Sequence, residues 1–404
     1  MSILETCQMI ALMSIFATFS AIMSIISKLP AVGTTIFSQM SQLAASHDAI
    51  NLSQGFPDFP ADASLLANLA RYSQAGFNQY APMPGVMVLR EQIAALTARC
   101  YQRQLCAAEE ITVTSGATEA LFVAIQMLVQ PGDEVILFDP AYDSYAPAIQ
   151  LAGGKSVHIR LDAPQYRVNW QQVAAAITAR TRVIIVNSPH NPTGMVFSQA
   201  DWLALEQLVC QHNLYCISDE VYEHMVFDAQ PQRSAHCFAA LAARSVIVSS
   251  FGKTFHVTGW KLGYAIAPAA LTAEFRKIHQ YVTFASFTPA QYAIAEMLQQ
   301  HPEQVTNLGQ FYQQKRDVFA QALADSRFQL LPCQGTYFQL VDYSAIAPTL
   351  SDSAFCQWLT IEHKVAAIPL SVFYQQGSDA RIVRLCFAKQ HATLHAAAER
   401  LCQL

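Results

Sequence analysis

From about residue 50 onward, short β-branched and apolar runs alternate with stretches whose apolar positions recur at helical spacing. The runs Ile111–Ser115, Glu134–Asp139, Val157–Leu161, Arg182–Asn187, Tyr215–Asp219, Ser245–Ser250 and Leu262–Ala267 read as strands. Ala117–Val129 and Asp201–Gln211 read as helices, the second opened by Ser198 with Asp201 as a first-turn acid. Strands that are apolar throughout, separated by helices, predict a mostly parallel sheet covered on both faces. Past Pro289 the pattern changes. A helical stretch, Pro302–Asp325, precedes strand-like Thr336–Val341 and Ile382–Phe387, with helices near Ser353–Glu362 and His391–Cys402. Asn51–Pro60 reads as an extended arm. The expected organisation is α/β, with a large domain over 61–289 carrying a seven-stranded sheet and a smaller α+β domain over 290–404. Residues 28–60 form an arm joining the smaller domain, and 1–27 an apolar N-terminal extension.

Composition narrows the function classes. The chain of 404 residues is 52% hydrophobic and only 13% charged, against a usual charged share of about 25%. That excludes a disordered body. Its formal charge of −5 comes with no basic block, so nothing suggests a nucleic-acid partner. Ten cysteines are spread along the chain without C-x-x-C pairs or zinc spacing, the pattern of reduced thiols in a cytoplasmic protein that binds no metal. The uncharged run Met9–Ile26, 18 residues long, is near the lower limit for a membrane span. It lacks the positive flank of a secretory signal and is read as sequence ahead of a start at Met23. A membrane anchor and an amphipathic extension are the competing readings.

In open α/β sheets, ligands bind beyond the carboxyl ends of the strands. After the first strand come Gly116, Ala117 and Thr118, small residues at a helix start where N–H groups and the helix dipole suit an anion. After Arg182–Asn187 comes Ser188–Gly194, in which Asn191 precedes a proline. Asp219 ends the fifth strand and Tyr222 follows three residues later. Lys253 follows the sixth, between apolar segments that solvate a charge poorly. Gly252-Lys253-Thr254 is not a P-loop, because position 247, where a glycine is required, is Ile247. No G-x-G-x-x-G follows the first strand, which argues against a dinucleotide dehydrogenase.

The ordered set SGATEAL, DPAYDSY, NSPHNPTG, SDEVYEH, SSFGKTFHVTGWKLGY and IVRLCFAK resembles the class I/II aminotransferases, pyridoxal-phosphate enzymes of fold type I. Within them, NLSQGFPDFP and NQYAPMPGVMVLRE look like the branch of kynurenine, glutamine and methionine aminotransferases. The resemblance spans roughly Leu29 to Leu404 and implies a set of roles. Lys253 would hold the cofactor in an imine link and, once free, move the Cα proton. Asp219 would pair with the pyridinium nitrogen, Tyr222 and Asn191 would bond the ring oxygen, and Tyr142 would stack on the ring. Gly116, Ala117, Ser250 and Lys261 would take the phosphate, with Lys261 standing where many relatives have arginine. Arg384 would clamp the substrate carboxylate, assisted by the Gly55 backbone. Tyr80 would reach the neighbouring subunit's site, implying a homodimer. Glu119 and Tyr145 lie among these residues with no role assigned.

The same resemblance implies amino-acid and 2-oxo-acid substrates and ping-pong transfer. In this branch the side-chain pocket is apolar and aromatic; QGFPDF, Tyr142 and the passage YVTFASF with Phe284 supply such surface. Methionine is therefore the favoured donor, ahead of other hydrophobic or aromatic amino acids. A distant arginine, such as Arg160 or Arg233, is left open as a reader of acidic side chains. A cysteine-conjugate β-lyase and an alanine-type aminotransferase are alternatives on the same site. A non-enzymatic regulator would carry a DNA-binding module, and residues 1–50 show no pattern for one.

Overall fold

Seven strands make the central sheet: β1 (Ile111–Thr114), β2 (Glu134–Asp139), β3 (Lys155–Arg160), β4 (Thr181–Asn187), β5 (Tyr215–Asp219), β6 (Ser245–Ser250) and β7 (Gly263–Ile266). The computed structural model describes residues 25–404; residues 25–33 carry no helix or strand, and Thr34–Leu404 forms one compact unit. Apart from Ile25 and Ile26, the apolar run Met9–Ile26 lies outside the described residues.

The sheet order is β1-β7-β6-β5-β4-β2-β3. Its pairs from β6 through β3 are parallel, and β7 runs antiparallel to both β1 and β6. The sheet is thus mostly parallel, as its continuous apolar strands require. Side chains alternate between two buried faces. Val135, Leu137, Val183, Ile185, Val246 and Val248 pack with the helix Ala117–Leu128. Ile136, Phe138, Ile184 and Val186 face the opposite way, into a core that continues to Val341, Val383 and Leu385.

A four-stranded antiparallel sheet is built from Gln329–Leu330, Phe338–Asp342, Ile368–Pro369 and Ile382–Cys386. The arm lies along it. Ile50 and Asn51 pair in parallel with Val365 and Ala366, and the Cys386 N–H donates to Leu52 O at 2.8 Å. The helical stretch expected over Pro302–Asp325 is two helices, Glu303–Thr306 and Leu308–Ala322. Asn307 ends the first with its N–H on Glu303 O and starts the second with its carbonyl on Phe311 N, a cap position that asparagine favours over a helix interior. The helix Thr288–Gln300 packs on Ala63–Gln74 and Met87–Tyr101 and shares an apolar cluster with β1 and β7.

Candidate active site

The carboxyl ends of β1, β4, β5 and β6 open into a cavity of about 360 Å³. The helix Ala117–Leu128 begins at its rim on Gly116 (φ +80°), an N-cap without a side chain to occupy the helix end. The first N–H groups and the positive dipole end therefore face the cavity. A Cβ on Gly116 would lie 3.4 Å from Lys261 Nζ and Cε. The turn is seated on Gly263 of β7, where a Cβ would come within 2.9 Å of the Ala117 nitrogen and 2.7 Å of Ser249 O. Ser250 and Lys261 line the same end. Backbone donors, a hydroxyl and an ammonium make a donor set that fits a phosphate.

Asp219, the last residue of β5, is buried beyond this turn. Its Oδ2 accepts from Tyr145 OH at 2.5 Å and its Oδ1 from the Val221 N–H at 3.3 Å. Burial raises its pKa to about 6, against the lowering effect of Tyr145, Val221 and Lys253. A protonated ring nitrogen beside it would favour the carboxylate again. Tyr142 and Tyr222 also line the cavity, and Asn187 Nδ2 ties β4 to Asp219 O at 2.8 Å. Asn187 Oδ1 accepts from the Asn191 N–H at 2.8 Å, so one side chain positions both neighbours.

Lys253 lies in the single turn Phe251–Thr254 that follows β6. Its Nζ donates to Tyr337 OH at 2.9 Å and Gly55 O at 3.3 Å. Loss of solvation pulls its pKa down to about 8, opposed by Cys386 and reinforced by Arg384 and Lys261. About a tenth of this amine is therefore uncharged at pH 7, far more than for an ordinary lysine, and the neutral form is the one that acts as nucleophile or proton acceptor.

Arg384, on the strand Ile382–Cys386, is 1% exposed. It donates to Asn191 Oδ1 at 2.8 Å and to Ser53 O at 3.1 Å, while its Nε has no hydrogen-bond partner. Its guanidinium lies 3.9 Å from the Phe338 ring centre, with Phe37 and Phe373 at 5.4 and 5.2 Å. No carboxylate among the described residues forms an ion pair with it. A buried cation held by neutral groups, with one donor free, is built to receive an anion.

The structure thus brings together Gly55, Gly116, Ala117, Tyr142, Asn191, Asp219, Tyr222, Ser250, Lys253, Lys261 and Arg384. Tyr80 and Phe284 do not line the cavity. Phe284 sits half-buried at φ +67° just after the helix Ala269–Val282; its ring meets Tyr80 edge-on at 5.4 Å, and Tyr80 is 84% exposed. Phe37 and Phe338 supply apolar wall instead. Neither Arg160 nor Arg233 reaches the cavity: Arg160 bonds Asp162 and Arg233 bonds Gln199. Sequence reasoning missed Tyr337 and Phe37, which belong to no chemistry-bearing motif, and gave Tyr145 and Glu119 no task. Glu119 takes the Ser115 N–H at 2.6 Å and faces His279 Nδ1 at 2.6 Å.

A doubly covered α/β sheet, an anion cup at its first helix and a desolvated lysine facing a buried carboxylate define a pyridoxal-phosphate-dependent transferase of fold type I. The chain belongs to the class I and II aminotransferases, whose family model matches residues 47–401. Among individual proteins, it is 57% identical to the methionine aminotransferase of Escherichia coli, over 94% of this chain and 98% of that protein. A solved E. coli structure with a methionine aminotransferase function superposes with a TM-score of 0.93 at 56% identity, covering 95% of this chain and all of the other. The N-succinyldiaminopimelate aminotransferase structure from Mycobacterium tuberculosis follows at 0.90 and 38%, over 94% and 100% of the two chains. A kynurenine–oxoglutarate transaminase of Dictyostelium discoideum is 34% identical over 92% of this chain and 94% of its own. No helix among the described residues is long and apolar enough to cross a membrane.

Proposed function

We propose that this aminotransferase takes methionine as its preferred donor, followed by other hydrophobic and aromatic amino acids, and passes the amino group to a 2-oxo acid. The observation that carries this reading is the cavity's charge pattern. Among the described residues Arg384 is the one arginine lining it and is matched to an α-carboxylate, while Phe37, Phe338 and Tyr142 offer aromatic surface. A thioether gains from such contacts; a second carboxylate there would be buried without a partner. The similarity to the E. coli methionine aminotransferase supports the same choice.

When bound, pyridoxal phosphate supplies the carbonyl that receives the amino group and a ring that draws in the electrons left at Cα. Gly116, Ala117, Ser250 and Lys261 would hold its phosphate, Asp219 its ring nitrogen, Asn191 and Tyr222 its ring oxygen, and Tyr142 its face. Arg384, with the Gly55 backbone alongside, orients the donor through its carboxylate. Lys253 would hold the cofactor covalently and, when free, would take the proton from the donor's Cα on Nζ. Tyr80 completes the site of a second copy of this chain, and the enzyme works as a homodimer in the cytoplasm. The nine cysteines among the described residues, all free, fit that compartment.

The test compares kcat/KM for methionine and aspartate with one common oxo acid. Methionine should lead by at least about 100-fold, the cost of leaving one buried carboxylate unpaired. Equal rates would mean that a cationic reader outside this cavity wall recognises acidic side chains.

A further inference from the structure

Tyr337 is fully buried and stands behind Lys253 rather than in the cavity. Its hydroxyl lies 2.5 Å from Gly55 O and 2.9 Å from Lys253 Nζ. A carbonyl can only accept, so the tyrosine proton points to Gly55 O and its oxygen lone pairs are left for the lysine and for the Tyr222 hydroxyl, which is also within hydrogen-bond reach. Lys253 Nζ also donates to Gly55 O, at 3.3 Å. Two of the amine's directions are therefore spent on Tyr337 and Gly55, and a third on its own side chain. The one remaining is left for the cavity that Lys253 lines. It holds a lone pair when the amine is neutral and a proton when it is charged.

We propose that Tyr337 is a positioning residue for the Cα proton transfer: its hydroxyl, braced on Gly55 O, fixes the freed Lys253 amine so that its reactive direction faces the donor. This rests on the reading of Lys253 as the proton carrier. The brace is stiff. The Tyr337 ring meets Tyr222 edge-on at 5.2 Å, Phe338 at 4.8 Å and Tyr312 at 5.5 Å, and its carbonyl accepts from the Phe387 N–H at 3.0 Å. Such a fixed donor–acceptor pair removes rotational freedom that a lysine otherwise keeps, and misplacement of a reacting atom is costly in rate. Lys253 is also faced by Tyr222, Asp219, Arg384, Lys261 and Cys386. The test must therefore isolate one hydroxyl among them.

Tyr337→Phe removes that hydroxyl and keeps the ring. Two measurements read the result. In the full-length protein stripped of cofactor, reductive methylation of Lys253 as a function of pH, followed by peptide mass spectrometry, gives the amine's midpoint. Loss of an acceptor for its N–H disfavours the charged form, so the midpoint should fall by about one pH unit. In the holoenzyme, the single-turnover rate with saturating methionine should fall about tenfold while half-saturation stays within about twofold. Deuterium at the donor Cα should slow the variant more than the wild type. Tyr312→Phe is the control: that hydroxyl is buried beside Tyr337 but has no hydrogen-bond partner, and its loss should move neither measurement. An unchanged midpoint and rate in Tyr337→Phe, or equal shifts in Tyr312→Phe, overturns the proposal. Borohydride labelling of the wild-type holoenzyme separates the two levels. A label on Lys253 with no effect of Tyr337→Phe rejects Tyr337 alone, whereas a label on another lysine rejects the proton carrier and the brace with it.

Discussion

Two residues of opposite charge line the same cavity, and burial bends the ionisation of each. Lys253 is drawn down to about 8 and Asp219 up to about 6, both chiefly by lost solvation. If Lys253 holds the cofactor, borohydride reduction should fix the label on it, and Lys253→Ala should bind the cofactor reversibly without transamination. A label on Lys261 or Lys277 would contradict this. Asp219 makes a prediction about stability. Its folded pKa, about 6, lies above the ordinary aspartate value of about 4, so between these values the folded cofactor-free chain holds a proton that the unfolded chain loses. Stability from this group is complete below about 4 and is lost as pH rises through about 6, a swing on the order of 3 kcal/mol. In cofactor-free protein, Asp219→Asn should flatten that loss and raise the melting temperature at pH 8. With cofactor bound the order should reverse, because the ring cation that stabilises the carboxylate has no partner in the amide. Thermal melts of both forms from pH 4 to 8 decide it.

At the level of elements, the anion cup depends on how closely β7 approaches the turn between β1 and the helix Ala117–Leu128. Gly263 permits that approach; a methyl there meets Ser249 O and the Ala117 nitrogen below normal contact distance. Gly263→Ala should push the turn out of place and weaken cofactor binding by at least about tenfold, with a stability loss of about 1–3 kcal/mol. Titration of the cofactor-free protein with pyridoxal phosphate measures the first effect. Gly259, where a Cβ meets nothing within 4 Å, serves as the comparison and should bind normally as alanine. The motif GWKLGY contains both glycines, and nothing in its spelling tells them apart. Spacing showed the strands of the central sheet to within two residues, because all but the edge strand Lys155–Arg160 are buried along almost all of their length. It did not show the two-residue strands Gln329–Leu330, Val365–Ala366 and Ile368–Pro369, which are too short to carry a period. It overran the helix after Pro302, because the break at Asn307 obeys a cap rather than a periodicity.

For the whole molecule, the decisive surface is the one that bears Tyr80. Tyr80, Tyr281 and Phe287 are 84%, 89% and 52% exposed, and the proposed homodimer would give such side chains a partner surface. Light scattering should give twice the chain mass of 44.5 kDa. If Tyr80 reaches the partner's phosphate site, Tyr80→Phe should preserve that mass yet lower cofactor affinity by several-fold, the effect of removing one hydroxyl contact. A monomer of full activity would end the dimer reading.

The residues proposed for the chemistry were legible only as an ordered set. Taken singly, a lysine after an apolar strand, an aspartate at a strand's end or a glycine before a helix more often serves solvation, capping or turning. It is the six motifs in order that resemble the aminotransferases, and strand placement follows from the local side-chain pattern. What local pattern could not contain is the meeting of distant segments. Lys253 touches Gly55 and Tyr337, and Arg384 joins Asn191 to Ser53. Each contact spans more than 80 residues and exists only after the arm has paired with Val365–Ala366 and the two sheets share a core. Desolvation belongs to that packing as well. Whether Lys253 is a surface charge or a reactive amine depends on how much water the folded chain removes from it, and no neighbouring letter in the sequence encodes that.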